Sequence, residues 1–72
     1  MIVKGKEIPT HQIYACEDWM LAVNGFTAGE LATCAISKGV PMMTAYRFAD
    51  RLIQKLKKNG LIKFNGKTWE KI

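Results

Sequence analysis

Residues 52–69 read LIQKLKKNGLIKFNGKTW, and this succession of residue types decides the fold. A run of Leu and Lys at helical spacing ends at Asn59-Gly60, where glycine favours a helix stop. A short apolar strand follows, and then Asn65-Gly66, a dipeptide typical of tight turns between antiparallel strands. The order predicts a long helix followed by a β-hairpin over residues 61–72, which we call the wing.

A two-residue type I′ loop at Asn65-Gly66 would fix which residues of the wing face each other. The predicted cross-strand pairs are Phe64 with Lys67, Lys63 with Thr68, and Ile62 with Trp69. Ile62, Phe64 and Trp69 would then share one face of the wing. Because an isolated hairpin is only marginally stable in water, we expect this aromatic face to pack on the helices.

The helix before the wing is predicted over residues 41–59. Pro41 can open it, because a proline lacks the N–H that is unsatisfied in a first turn anyway. An apolar stripe at i, i+3, i+4, i+7, i+8 and i+11 predicts its buried side. The stripe consists of Ala45, Phe48, Ala49, Leu52, Ile53 and Leu56.

A second helix is predicted over residues 27–38. Thr27 and Glu30 have the spacing of a capping box, and Phe26 can pack on Leu31 as a hydrophobic staple. Leu31, Ala32, Ala35 and Ile36 form its inner stripe, and Gly39 ends it.

A first helix is predicted over residues 10–24. It opens after Ile8-Pro9, and its apolar residues recur about one turn apart. These are Ile13, Cys16, Met20 and Val23, with Trp19 beside them and Asn24-Gly25 as a left-handed stop. Residues 1–9 leave two alternatives open, a short strand added to the wing or a loose arm.

The composition predicts one globular domain over residues 1–72, mainly α with a C-terminal β-hairpin (α+β). The chain has 72 residues, of which 49% are hydrophobic and 24% charged. No run of about 18 apolar residues and no secretory leader is present, so we expect no membrane contact and a cytoplasmic location.

Catalysis, metals and cofactors are not indicated. Cys16 and Cys34 lack CxxC spacing and His11 is the only histidine, so zinc binding is not expected and both thiols are interpreted as small buried hydrophobes. Glu17 and Asp18 are adjacent on a helix and point in different directions. We therefore expect neither an enzyme nor a cofactor.

The positive charge is concentrated in the second half of the chain. The net charge is +5; two lysines against four acids give −2 over residues 1–36, and nine basic residues against two acids give +7 over residues 37–72. This asymmetry favours a polyanionic partner, although lysines also solvate helix faces and protect edge strands.

The outer side of the third helix carries much of that charge. At about 100° per residue, the side opposite the apolar stripe collects Met43, Arg47, Asp50, Arg51, Gln54 and Lys58, with Thr44 and Lys55 on its flank. Arg47 and Arg51 are four residues apart, and like charges at that spacing repel by roughly 0.2–0.5 kcal/mol. An ordinary solvated face would intersperse acids, and Asp50 does so in part. The alternative interpretation is that phosphates supply the counter-charges while arginines reach guanine edges.

The run FTAGELATCAISKGVPMMTAYRFADRLIQKLKKNGLIKFNGKTW, residues 26–69, resembles the winged helix-turn-helix DNA-binding domains. This run contains a supporting helix with the residues ELA, a turn with GVP, a recognition helix, the residues NGLI that follow this helix, and a wing. A small stand-alone domain of this kind resembles phage and bacterial regulators. The resemblance implies a transcriptional regulator that binds double-stranded DNA, with the third helix in the major groove and the wing on the adjacent minor groove or its phosphates.

The DNA-binding residues that the resemblance and the charge pattern imply lie on three segments. They are Lys38 before the third helix, Met43, Thr44, Arg47, Arg51, Gln54, Lys55 and Lys58 on it, and Lys63, Asn65 and Lys67 on the wing. One departure stands out, because Met42-Met43 is apolar where such families often place polar side chains at base edges.

A second hypothesis is a protein-interaction module, such as a phage-encoded adaptor or inhibitor that keeps the winged fold. Met42, Met43 and Tyr46 would form its adaptable apolar patch, or Met42 and Tyr46 simply complete the edge of the core. A homodimer is also compatible with the sequence, since one small module reads little DNA alone. The first helix with Trp19 or the amino-terminal arm would supply the contact.

Overall fold

The computed structural model describes residues 1–72 as two short β-hairpins that flank three helices in the sequence. The elements are β1 (Ile2–Val3), β2 (Lys6–Glu7), α1 (Thr10–Ala22), α2 (Ala28–Ser37), α3 (Met42–Lys58), β3 (Ile62–Phe64) and β4 (Trp69–Lys71). The predicted α+β class, with three helices followed by a C-terminal hairpin, is confirmed.

Residues 1–8 form a hairpin of their own. β1 pairs antiparallel with β2, and Val3 lies opposite Lys6. The two loop residues, Lys4 and Gly5, have φ values of 52° and 76°, as a type I′ turn requires. The buried side chains of Val3 and Ile8 anchor this amino-terminal hairpin to the core. It neither extends the wing nor forms a loose arm, so both alternatives for residues 1–9 are wrong.

Helix α1 ends earlier than predicted. Its last residue is Ala22, and Val23 already has an extended backbone (φ −82°, ψ 156°). Gly25, with φ 132°, is therefore not the left-handed stop that the sequence suggested. A Cβ atom at Gly25 would lie 2.9 Å from Thr68 Oγ1, so glycine permits close approach of the wing here.

Helix α2 has the predicted start and stop. The Glu30 N–H donates to Thr27 Oγ1 (3.1 Å) and the Thr27 N–H donates to Glu30 Oε1 (2.8 Å), which confirms the capping box. After Gly39, the Val40 N–H donates to the Ala35 carbonyl at 3.0 Å, as in a Schellman stop. Most of the inner stripe is buried, whereas Ile36 is half-buried.

Helix α3 begins at Met42, and Pro41 is its N-cap rather than its first helical residue. All six residues of the predicted apolar stripe are buried, which confirms the inward side of this helix. The helix closes at Gly60 (φ 74°), where the Leu61 N–H donates to the Leu56 carbonyl at 3.0 Å.

The predicted register of the wing is wrong by two residues. Phe64 lies opposite Trp69, Lys63 opposite Glu70 and Ile62 opposite Lys71. The Asn65 side-chain oxygen accepts from the backbone N–H groups of Lys67 (2.9 Å) and Thr68 (2.8 Å), which closes a four-residue loop. A type I′ turn needs two residues with positive φ, and only Gly66 has one here. Because side chains alternate with period two, the shift leaves Ile62, Phe64 and Trp69 on one face, as predicted.

The wing contacts the helices through the start of β3 and the start of β4, and not through its loop. Ile62 is buried and Trp69 half-buried, whereas Phe64 is 54% exposed and packs on the Trp69 ring at 5.2 Å between centroids. The expectation that the whole aromatic face packs on the helices therefore fails at Phe64. Lys57 of α3 places its ammonium group 5.9 Å from the centre of the Trp69 ring.

One apolar core connects all of these elements. Its 17 buried residues come from the amino-terminal hairpin, the three helices, the loops between them and β3. No helix in the structure has the length and apolar character that a membrane span requires.

Candidate nucleic-acid interface

The outer side of α3 is open to solvent along its whole length. Because the opposite stripe is buried, the residues between its two flanks all project outward. Met43, Arg47, Asp50, Arg51, Gln54 and Lys58 are exposed, where the helical pattern predicted them. Four of the residues on this side carry cationic or amide groups able to donate to phosphates or bases: Arg47, Arg51, Gln54 and Lys58.

Arg47 and Arg51 have no acidic partner within the chain. The three ion pairs of the structure join Met1 to Glu7, Lys55 to Glu17 and Lys63 to Glu70. Asp50 lies between the two arginines in sequence but pairs with neither. Two guanidinium groups one helical turn apart are therefore left to solvent or to a ligand.

Lys55 is less available than the arginines. Its ammonium group lies 2.8 Å from Glu17 Oε2 on α1, and this carboxylate is more buried than the lysine (16% and 45% exposed). An acid of a neighbouring helix thus already supplies the counter-charge on this flank of α3.

Thr44 cannot take part in the interface as predicted. It is 4% exposed and is the only buried polar residue. A helical pattern defines the two sides of α3 but not how far its neighbours cover its flanks, and here the covered side extends to Thr44. Its hydroxyl is therefore out of reach of a base or phosphate.

A shallow groove runs along the carboxyl-terminal half of the outer side. Its volume is about 560 Å³, and it is lined by Met1, Asp50, Arg51, Gln54, Lys55 and Lys58. Three of these six residues are cations of α3, so the groove would attract an anionic ligand in preference to a neutral one. No group of three or more His, Cys, Asp or Glu side chains is placed to hold a metal ion.

The three predicted wing contacts differ in availability. Lys63 lies 3.8 Å from Glu70. Asn65 uses its oxygen to close the loop, and its amide group donates to Thr68 Oγ1 and to Glu70 Oε2, both at 3.2 Å. Asn65 therefore shapes the loop rather than offering free donors to DNA. Lys67 is exposed and has no acidic partner.

Lys38 occupies the turn between α2 and α3. It is the C-cap of α2, its carbonyl accepts from Gln12 Nε2 at 3.0 Å, and its side chain is exposed.

The two thiols differ in burial. Burial, followed by the adjacent Cys34 thiol, raises the pKa of Cys16 to about 11, and the charge of Lys38 partly opposes this rise. Cys16 is fully buried as interpreted, whereas Cys34 is half-buried.

The start of α3 carries a cluster of exposed large apolar side chains. Met42, Met43 and Tyr46 are 69%, 83% and 61% exposed, so none of them completes the core.

The structure also adds one cation that the sequence did not predict at this interface. Lys4 of the amino-terminal hairpin donates from Nζ to the Met43 carbonyl at 3.3 Å, and only knowledge of the hairpin's position could have placed it there.

No family model, no curated protein and no solved structure matches this chain.

Proposed function

We propose that this protein binds double-stranded DNA as a winged helix-turn-helix transcriptional regulator in the cytoplasm. Helix α3 enters the major groove, and the wing contacts the adjacent backbone or minor groove. The observation that carries the proposal is the pair Arg47 and Arg51, exposed one turn apart without a carboxylate partner.

Electrostatics favour a polyanion at this surface. Two like charges four residues apart on a helix repel by roughly 0.2–0.5 kcal/mol, and neither Arg47 nor Arg51 forms an ion pair that would offset this repulsion. Two lysines do have acidic partners: Lys55 on the flank of α3 pairs with Glu17, and Lys63 on the wing pairs with Glu70. Arg47, Arg51 and Lys58 on the outer side of α3 are thus among the cations that have no acidic partner.

The dimensions and donors of α3 also fit the major groove. The helix has 17 residues and is about 25 Å long at 1.5 Å per residue, and the groove admits one helix. Arginine donates in a fork to guanine and glutamine pairs with adenine, so Arg47 and Gln54 are the side chains that we propose read bases. Lys58 and Lys67 would contact phosphates, which position the protein without specifying sequence.

Fluorescence anisotropy with a random DNA duplex over a series of salt concentrations tests the proposal. We expect the logarithm of affinity to fall linearly with the logarithm of salt concentration, by about 0.9 per neutralised phosphate. Arg47→Ala with Arg51→Ala should lower the affinity, and should lower the slope by about 0.9 for the one phosphate that Arg51 would neutralise. Arg47→Lys with Arg51→Lys keeps the charge and should keep the slope. Salt-independent affinity, or unchanged binding by a folded double-alanine variant, would refute the proposal.

The exposed patch of Met42, Met43 and Tyr46 favours a second candidate function, a protein-interaction adaptor or inhibitor. Methionines adapt to varied partner surfaces, and apolar side chains this exposed are typical of interaction sites. Two pairs of alanine substitutions distinguish the two functions. A partner held by the patch would be lost on Met42→Ala with Tyr46→Ala and retained on Arg47→Ala with Arg51→Ala, whereas DNA binding would show the reverse sensitivity.

A further inference from the structure

The DNA contacts proposed for α3 and the wing do not include the amino-terminal hairpin, although this hairpin is anchored in the core. Val3 and Ile8 are buried, while Ile2 and the residues from Lys4 to Glu7 are exposed. Paired residues lie on the same face of a hairpin, so Lys6 shares the face of Val3, which is directed toward the helices. The hairpin thus presents a buried anchor and an exposed basic tip.

The tip of this hairpin lies beside the first turn of α3. Lys4 Nζ is 3.3 Å from the Met43 carbonyl oxygen, to which it donates. At the other end of the hairpin, Met1 borders the groove that Arg51 and Lys55 line. The hairpin therefore follows the interface rather than the back of the molecule.

The hairpin and the wing lie on different sides of α3. Lys57 is in contact with Trp69 of the wing, whereas Lys55 lines the groove next to Met1. Residues two apart on a helix point about 200° apart, so these two lysines mark nearly opposite directions. The outer side of α3 is consequently bounded by one ribbon on each flank.

The charges at the hairpin tip are not compensated. Lys4 and Lys6 form no ion pair, and the only acid of the hairpin, Glu7, pairs with the amino group of Met1 at 3.6 Å. An ammonium group has three donors, and Lys4 uses one of them on Met43. Apart from its chain neighbours, no residue has an atom within 4 Å of the position that a Cβ atom at Gly5 would occupy, so the tip is open to a ligand.

We propose that the amino-terminal hairpin is a second DNA-contacting ribbon, in which Lys4 and Lys6 bind backbone phosphates on the flank of α3 away from the wing. This inference rests on the proposed function, because the phosphates belong to the duplex that α3 enters. With a cationic ribbon on each side, the protein would contact the backbone on both edges of the major groove. The occupant is the sugar-phosphate backbone, so the contact carries no sequence preference.

The salt dependence of DNA binding separates this proposal from a purely structural role of the two lysines. Each phosphate contact adds about 0.9 to the log-log slope. A lysine that only holds the start of α3 would change affinity equally at every salt concentration. A lysine that only solvates the hairpin or protects its edge would change neither affinity nor slope.

The test is anisotropy with a random duplex over a salt series, using Lys4→Ala with Lys6→Ala. Lys71→Ala is the control, since Lys71 is exposed beside the end of α1, at a depression that it shares with Leu21 and Asn24. We expect the double variant to lose roughly 1.8 from the slope, Lys71→Ala to match the wild type, and Lys4→Arg with Lys6→Arg to restore the slope. Equal thermal midpoints confirm that all variants are folded.

Two outcomes overturn the inference, and they are distinguishable. An unchanged slope in the Lys4 and Lys6 variant, together with a reduced slope in the Arg47 and Arg51 variant, rejects the hairpin contact and leaves the proposed function intact. A wild-type protein without salt-dependent DNA binding rejects both.

Discussion

Phe26 and Trp69 exchange two backbone hydrogen bonds. The Phe26 N–H donates to the Trp69 carbonyl at 2.9 Å and the Trp69 N–H donates to the Phe26 carbonyl at 2.8 Å. Phe26 thereby adds a third strand-like segment to the hairpin of β3 and β4. Since Phe26 immediately precedes Thr27, the N-cap of α2, this bridge fixes the wing relative to the helices. The spacing between the wing and α3, on which the proposed interface depends, is set here.

Truncation of the side chain at this bridge should destabilise the whole domain. Phe26 is fully buried and packs on Trp19 at 5.6 Å between ring centroids, so Phe26→Ala should lower the free energy of unfolding by about 3–5 kcal/mol. Phe64 is more than half exposed, and Phe64→Ala should lose roughly 0.5–1.5 kcal/mol, the value of an aromatic pair. Urea denaturation compares the two variants. Equal losses would contradict the assigned roles of the two rings.

The sequence predicted those features that local signals determine. The capping box of Thr27 and Glu30 needs only residues three apart, and the apolar stripe of α3 needs only helical spacing. Both are present in the structure. The exposed arginines of α3 were predictable for the same reason, because the side opposite a buried stripe faces solvent.

The turns were harder to predict because asparagine has two ways of making one. Asn65 was expected to adopt positive φ in a type I′ turn, but its side-chain oxygen instead accepts two backbone N–H groups, an interaction that asparagine commonly makes in turns. The two-residue loop with two positive φ values occurs at Lys4-Gly5, where the sequence gives a weaker signal. Lysine is not favoured at positive φ, and the hairpin is instead anchored by the buried side chains of Val3 and Ile8.

The remaining errors concern contacts between distant segments. The burial of Thr44 and the pairing of Lys55 with Glu17 depend on which elements lie beside α3. Periodicity within one helix contains no information about such neighbours. The basic tip at Lys4 was missed for the same reason.

The close approach of the wing at Gly25 predicts a side-chain clash in addition to backbone strain. Gly25 and Gly66 both have positive φ, but only at Gly25 would a Cβ atom meet another atom, Thr68 Oγ1 at 2.9 Å. Gly25→Ala should therefore destabilise more than Gly66→Ala, which we expect to lose about 1–2 kcal/mol from backbone strain alone. In a double-mutant cycle measured by urea denaturation, Thr68→Ala should recover part of the loss at Gly25. Additive losses would show that the two residues do not clash.

The buried thiol of Cys16 predicts a loss of stability at alkaline pH. Burial and the neighbouring Cys34 raise the pKa of Cys16 from 9.0 to about 11, so the folded state holds the proton after the unfolded chain has released it. This contribution to stability is complete below pH 9 and is lost as the pH rises toward 11. The free energy of unfolding should fall more steeply over this range in the wild type than in Cys16→Ala. Parallel curves in urea titrations would contradict the assignment.

The two wing lysines should contribute unequally to DNA binding. Lys63 lies 3.8 Å from Glu70, whereas Lys67 has no acidic partner. Lys67→Ala should therefore lower the log-log salt slope by about 0.9, the value for one phosphate contact, and Lys63→Ala should lower it by less. Anisotropy with a random duplex measures both slopes. A larger effect of Lys63→Ala would mean that Glu70 does not restrain that lysine in solution.

Release of Lys55 from Glu17 should strengthen DNA binding. In Glu17→Gln, the Lys55 ammonium group loses the carboxylate that lies 2.8 Å away and becomes available on the flank of the groove. We expect the affinity for a random duplex to rise and the slope to increase by about 0.9. Asp18→Asn is the matched control, because it removes the same charge from an exposed residue that forms no ion pair. Its effect should be limited to weak screened repulsion, so an equal gain in both variants would mean that net charge, and not the release of Lys55, controls affinity.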